Sequence, residues 1–157
     1  MTPDQIALIR SHAARLKGIE DDFAAAFYAR LFQIAPQLRR MFPADLAEQR
    51  MKLMTAVVFA VNALDRPEAL APALHSLGAR HAAYGVTVAH FAPVAEALTD
   101  TLAVALGTGF DAQAQQAWSA ALGALAGLMA EGMNAAALAA AGSAAQGRAA
   151  QASHGGS

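Results

Sequence analysis

Read for the spacing of its hydrophobic positions, the chain divides into helices. Ile6, Ile9, Ala13 and Leu16 recur at three and four residues, the spacing of one helical face. Thr2 followed by Gln5 gives a capping box ahead of them, Pro3 suits the first helical position, and Gly18 ends the run. A second helix, from about 19 to 35, sets Phe23, Phe27, Leu31 and Ile34 at core spacing with Tyr28 beside that face. Pro36 opens a short third turn, PQLRRMF, which Phe42-Pro43 breaks. A long helix over 46–64 carries the stripe Gln49, Leu53, Ala56, Ala60, Leu64, so a polar residue begins an apolar line. Asp65-Arg66-Pro67-Glu68 reads as a break with Asp65 as the new cap, and Pro72 as the opening of the main part of the next helix. After that helix, one over about 90–106 shows Phe91, Val94, Leu98 and Leu102, with Pro93 in its first turns. Gly107-Thr108-Gly109 separates it from a last helix that Asp111 caps. That helix bears Trp118, Leu122, Leu125 and Met129 and is expected to reach about Met133. No segment reads as a strand bounded by turns, so the expected fold class is all-α.

The segment LAPALHSLGARHAAYGV at 70–86 departs most from a plain core pattern. Leu70, Leu74 and Leu77 form a stripe whose next position is His81. An imidazole stands where a leucine is expected. Gly78, one turn earlier, is read as leaving room for something bulky, and Gly85 as ending the helix in the left-handed conformation. Two readings are open. A histidine on an apolar stripe is commonly a core residue bonded to a backbone carbonyl. A neutral imidazole with one free ring nitrogen, held on a rigid helix in an apolar setting, is also a good axial ligand for haem iron.

Composition narrows the options. A chain of 157 residues fits one domain that buries roughly two-thirds of its unfolded surface. With 11 basic and 12 acidic residues the net charge is −1, which leaves no basic field for nucleic acid or an anionic membrane. There is no cysteine, which excludes disulfides, thiolate catalysis, iron–sulfur clusters and covalent haem attachment, and fits a cytoplasmic location. The start, MTPDQIALIR, lacks the pattern of a secretory signal. Residues 136–157 are alanine- and glycine-rich with little that is large to bury, and are expected to be a tail behind a body over 1–135. Segment 117–141 is nearly uncharged and holds Gly123 and Gly127 as GxxxG. It is alanine-rich and contains Glu131, so close packing of two helices at those glycines is expected rather than a membrane span.

Tyr28, Phe42, Gln49 and His81 each have an ordinary packing or surface explanation. Together, in this order and spacing, they resemble the haem pocket of a globin, and most of all bacterial single-domain haemoglobins and the haem domains of flavohaemoglobins. The stretch FYARLFQIAPQLRRMFPADLAEQRMKLM resembles that family's second helix, corner and distal helix. LGARHAAYGV resembles its proximal helix and the corner after it, and Phe91, Pro93 and Val94 the start of the following helix. The resemblance covers about residues 3–135. It implies a globin fold with haem b. His81 would be the proximal iron ligand, Phe42 the ring that stacks on the porphyrin, and Gln49 the distal residue, with Leu53 above the ligand. Tyr28 would supply a second distal hydrogen-bond group. Val86 and Phe91, in the corner and at the next helix start, would complete the cofactor contacts. Lys52 and Arg80 would meet the haem propionates, or be ordinary solvated cations. His12, His75, His90 and His154 lie off apolar stripes and are expected to face solvent, with His90 the reserve ligand.

Two departures from the resemblance bear on chemistry. Flavohaemoglobins carry a tyrosine and a glutamate that bond the proximal histidine. Here Phe91 stands at the tyrosine position, and the glutamate position is Ala135 with Glu131 one turn away, which puts proximal electron push in doubt. Tyr84 is the only nearby candidate to compensate. No GxGxxG occurs in these 157 residues, so no flavin or NAD domain is expected within them. The expected function is reversible binding of O₂ and other diatomic gases (CO, NO), with high affinity through Tyr28 and Gln49. The alternative is nitric oxide dioxygenase activity with a separate reductase. A sensor and a haem-free globin fold are lesser possibilities.

Overall fold

Thr2 opens the first helix by the expected exchange of hydrogen bonds. In the computed structural model its hydroxyl accepts from the Gln5 backbone N–H at 3.1 Å, and the Gln5 side chain accepts from the Thr2 N–H at 3.0 Å. The structure describes the backbone of residues 1–154 and the side chains of residues 1–148. Six α-helices follow one another: α1 (Pro3–Ala14), α2 (Glu20–Ile34), α3 (Ala47–Asn62), α4 (Pro67–Ala83), α5 (Phe91–Leu106) and α6 (Ala112–His154). A 3₁₀ stretch at Pro36–Met41 joins α2 to α3, and shorter ones at Val88–His90 and Gly107–Gly109 flank α5. No strand occurs among the described residues, so the all-α class holds.

The apolar stripes sort the helices into two packed groups. Phe23, Phe27 and Leu31 of α2 meet Leu98, Leu102 and Leu106 of α5, with Ile9 of α1 and Trp118 of α6 in the same core. Ala60 and Ala63, at the end of α3, join Leu70 and Leu74 of α4 in a second cluster with Leu125, Leu128 and Met129 of α6. Thus α4 lies on α6, while α3 lies on α1 and α2. Leu53 and Val57 of α3 and Leu77 of α4, all on apolar stripes, are only half-buried.

Several local expectations are corrected. Asp65 does not cap α4. Pro67, with φ already set for a helix, takes the first position behind Arg66, and the Asp65 carboxylate instead holds the Arg10 guanidinium at 2.7 Å. Pro72 lies inside α4 rather than at its start, in the second turn, where the helix forgoes one backbone bond. Gly78 does not make room for a cofactor. A Cβ there would run into the Met129 backbone, and one at Gly132 into the His75 backbone, so these two glycines let α4 and α6 touch main chain to main chain. Gly123 and Gly127 do not mark that contact, since nothing lies within 4 Å of a Cβ at either; they face away from the crossing.

The last helix does not stop near Met133. It runs on to His154, because alanine has the highest helix propensity and no proline interrupts the run. Between 134 and 148 every side chain is exposed except half-buried Ala136. Over Ala112–Arg148 the helix is long and apolar enough, by length and composition, to cross a membrane. In its first half Ala114, Ala117, Trp118 and Ala121 are buried in the fold.

The histidines also differ from expectation. His12 is 4% exposed, not solvent-facing, and its Nδ1 accepts the Trp118 indole N–H at 3.0 Å. Burial, and then the nearby Arg15 charge, lower its pKa, with Asp111 opposing. His75 is partly buried and lies 2.7 Å from the Glu131 carboxylate. The Nδ1 of His90 accepts from the Thr87 backbone N–H at 3.0 Å, which occupies the reserve ligand in a helix cap. The side chain of His154 lies outside the described residues.

Candidate functional site

Tyr28 sits one position past the α2 stripe that faces α5, so its ring turns toward the corner before α3. It is 3% exposed. Its centroid lies 5.5 Å from the Phe42 ring, edge to face, and 6.1 Å from Phe32. Phe32 and Phe42 close the triangle at 5.5 Å. Burial pushes the Tyr28 hydroxyl above its usual range near 10, and a polar contact with the Gln49 side chain partly offsets that rise. A tyrosine hydroxyl is protonated at neutral pH in any case, and here it is a donor in an apolar setting.

Gln49 is half-buried in the first turn of α3. The next residue, Arg50, donates to Asp21 of α2 at 2.8 Å, which ties the start of α3 to α2 two turns before the tyrosine. Leu53, one turn on, packs partly buried against the same core as Tyr28 and Phe42. Three of the four residues singled out from the sequence, Tyr28, Phe42 and Gln49, are thus brought together.

His81 belongs to the other group of helices. Its Nδ1 donates to the Leu77 carbonyl one turn back at 2.7 Å. With the proton at Nδ1, the lone pair is on Nε2, which has no hydrogen-bond partner among the described residues. The carbonyl bond expected of a core histidine is present, and it also fixes the tautomer and ring orientation of a metal ligand. Gly85, at φ 85°, closes α4, and the Val86 N–H donates to the His81 carbonyl at 3.1 Å, so the corner folds back onto the histidine. Val86 and Phe91 are half-buried.

On the proximal side, the candidate Tyr84 does not compensate for the missing tyrosine and glutamate. Tyr84 is 81% exposed, Glu131 is engaged by His75, and Phe91 has no hydroxyl. A neutral carbonyl is the partner of the His81 ring. Lys52 is exposed and pairs loosely with Glu48 at 3.4 Å. Arg80 is exposed, with no ion-pair partner among the described residues.

These residues fit a haem. An imidazole with an unpartnered Nε2 is the donor iron takes. Leu53, Leu77, Val86 and Phe91, the apolar residues on the distal and proximal segments, are each only half-buried and so keep apolar surface for a further partner. Sequence reasoning missed Phe32 and Arg39. Phe32 is four residues after Tyr28 and so lies beside it on α2, a signal that was readable. The Arg39 guanidinium stands 5.2 Å over the Phe32 ring, and only the tertiary structure reveals that.

Comparison with known proteins agrees with this arrangement. The globin family model matches residues 25–129. The flavohemoprotein of Bordetella parapertussis is 30% identical over 132 residues, which cover 82% of this chain and 33% of that protein; the chain spans about a third of the length of such relatives. An engineered carbene transferase, made from a candidate nitric oxide dioxygenase of Rhodothermus marinus, superposes with a TM-score of 0.76 at 28% identity, covering 88% of this chain and 99% of that one. A bacterial globin from Campylobacter jejuni shares the fold, with a TM-score of 0.76 at 23% identity over 85% of this chain and 96% of that one. Matched by the family model along most of its length and aligned with the haem domains of its relatives, this chain belongs to the globin family, and that membership implies a haem cofactor.

Proposed function

We propose that this globin binds haem b through His81 and reversibly holds O₂ with high affinity. The observation that carries the reading is a buried tyrosine packed against Phe32 and Phe42, with its hydroxyl in polar contact with the Gln49 side chain. Haem iron supplies the coordination of a diatomic gas. Tyr28 and Gln49 are both hydrogen-bond donors, and Leu53 and Phe42 keep their surroundings apolar, where such bonds are stronger than in water. Donors of this kind favour a ligand that gathers negative charge at its outer atom, as O₂ does and CO scarcely does. Arg80, free of an ion pair, is the cation best placed in sequence to meet a propionate, beside the iron ligand.

The second reading is nitric oxide dioxygenase activity with a separate reductase. It is favoured by the Rhodothermus marinus protein, a candidate for that activity, matched over 99% of its length. The proximal side favours simple binding, because a backbone carbonyl alone orients His81 and no carboxylate increases its electron donation.

Absorption spectra of the ferric, ferrous and CO-bound protein test the reading, together with His81→Ala. The wild type is expected to show histidine-ligated haem, and the variant to lose most of it or to regain it only with added imidazole. An unchanged spectrum in His81→Ala would remove His81 as the ligand. Catalytic NO consumption in the presence of a reductase would favour the second reading over the first.

A further inference from the structure

The corner between the 3₁₀ stretch and α3 is built from carbonyls that no backbone N–H reaches. Residues 42–44 lie between helical segments, and among the described residues no main-chain donor bonds the Phe42, Pro43 or Ala44 oxygen. Arg39 takes over that task. Its Nη1 donates to the Phe42 carbonyl at 3.3 Å and the Pro43 carbonyl at 3.0 Å, and its Nη2 to the Ala44 carbonyl at 3.1 Å. The flat guanidinium also lies over the Phe32 ring at 5.2 Å from its centroid, within cation–π range. Phe32 and Phe42 are in turn the two rings that flank Tyr28 at the corner.

We propose that Arg39 is a positioning residue for Tyr28: by locking the corner backbone from one side and the Phe32 ring from the other, it sets the direction of the Tyr28 hydroxyl. The inference rests on the reading of Tyr28 as a distal donor. Arg39 is only partly buried, and its hydrogen bonds go to corner carbonyls rather than to Tyr28 or Gln49, so it acts through the two rings. A lysine cannot replace it. An ammonium is a point charge that cannot span three carbonyls and has no flat face to stack.

The chain has two tyrosines, Tyr28 and the 81%-exposed Tyr84, and this gives a direct test. Carbon-13 tyrosine labelling yields two sets of ring signals, with Tyr84 as the internal reference. In Arg39→Met the Tyr28 signals are expected to move and broaden while those of Tyr84 stay. The spectrum is recorded on the full chain with haem in the CO form and again without haem, so this arm does not depend on the cofactor. In the same variant O₂ release is expected to rise roughly threefold to tenfold, as for a weakened rather than a deleted hydrogen bond, with CO release changed less than about twofold. Adding Arg39→Met to Tyr28→Phe is expected to give no further rise, because the hydroxyl it directs is gone. Arg39→Lys is expected to resemble Arg39→Met, and it carries the test if the methionine variant folds poorly. Unmoved Tyr28 signals in both variants, or an equal rise in O₂ release without the hydroxyl, would overturn the proposal. Unchanged O₂ release in Tyr28→Phe alone would strike the distal reading instead, and leave the tyrosine spectrum to decide the role of Arg39.

Discussion

Tyrosine and phenylalanine differ by one oxygen, and at position 28 that oxygen is what the proposed chemistry uses. Tyr28→Phe keeps the ring among Phe27, Phe32 and Phe42, so the fold should hold. A hydrogen bond to a charged acceptor contributes about 1.5–3 kcal/mol, so O₂ release should accelerate about tenfold to a hundredfold, with CO release changed far less. Stopped-flow release of both gases checks this. Equal changes for the two gases would make Tyr28 a packing residue. Gln49→Leu should act in the same direction, and the double variant should be less than additive if both groups serve one acceptor. The grouping of Tyr28, Phe42 and Gln49 was legible because spacing along consecutive elements preserves it. Arg39 and His12 were not legible. The first acts on carbonyls that become unpartnered only when the corner forms, and the second is buried by a tryptophan 106 residues away.

At the scale of elements, periodicity located every helix, and the misreadings fell at ends and crossings. Glycines in a sequence do not say which face a partner approaches. Gly78 and Gly132, on opposite helices, turned out to be the contact, while the more conspicuous GxxxG pair faces outward. Gly132→Ala would press a methyl group into the His75 backbone and should cost about 1–3 kcal/mol. Gly123→Ala, exposed in mid-helix, should stabilise by about 0.5–1 kcal/mol. Thermal melting of the two variants should therefore shift in opposite directions. Shifts of the same sign would show that the crossing is not where the structure puts it. The length of α6 exceeds the expected end near Met133 because alanine needs no burial to favour a helix, so a segment poor in large side chains prolongs it.

Across the whole molecule, His12 and Trp118 join the first helix to the last. Nδ1 of His12 accepts a hydrogen bond and cannot do so when protonated, and burial and Arg15 hold its pKa below 6.5. In the unfolded chain the imidazole takes up its proton near pH 6.5. The contribution of the neutral form is therefore complete above that pH, and is lost as pH falls from there to the lowered folded-state value. Denaturant unfolding should show lower stability at pH 5.5 than at 7.5, and His12→Gln, which retains an acceptor without titrating, should flatten the slope. An unchanged slope would remove His12 as its source. The division of the interior into two clusters has a different consequence. The helix that carries His81 is anchored by α6 and the end of α3, and the side chains around Tyr28 are anchored by α2 and α5. The two walls share α3 and α6 but draw on different residues of them. Substitutions that reshape the tyrosine side to admit a larger or differently polar guest should leave the histidine's support intact, which makes this chain a natural scaffold for redesign one wall at a time.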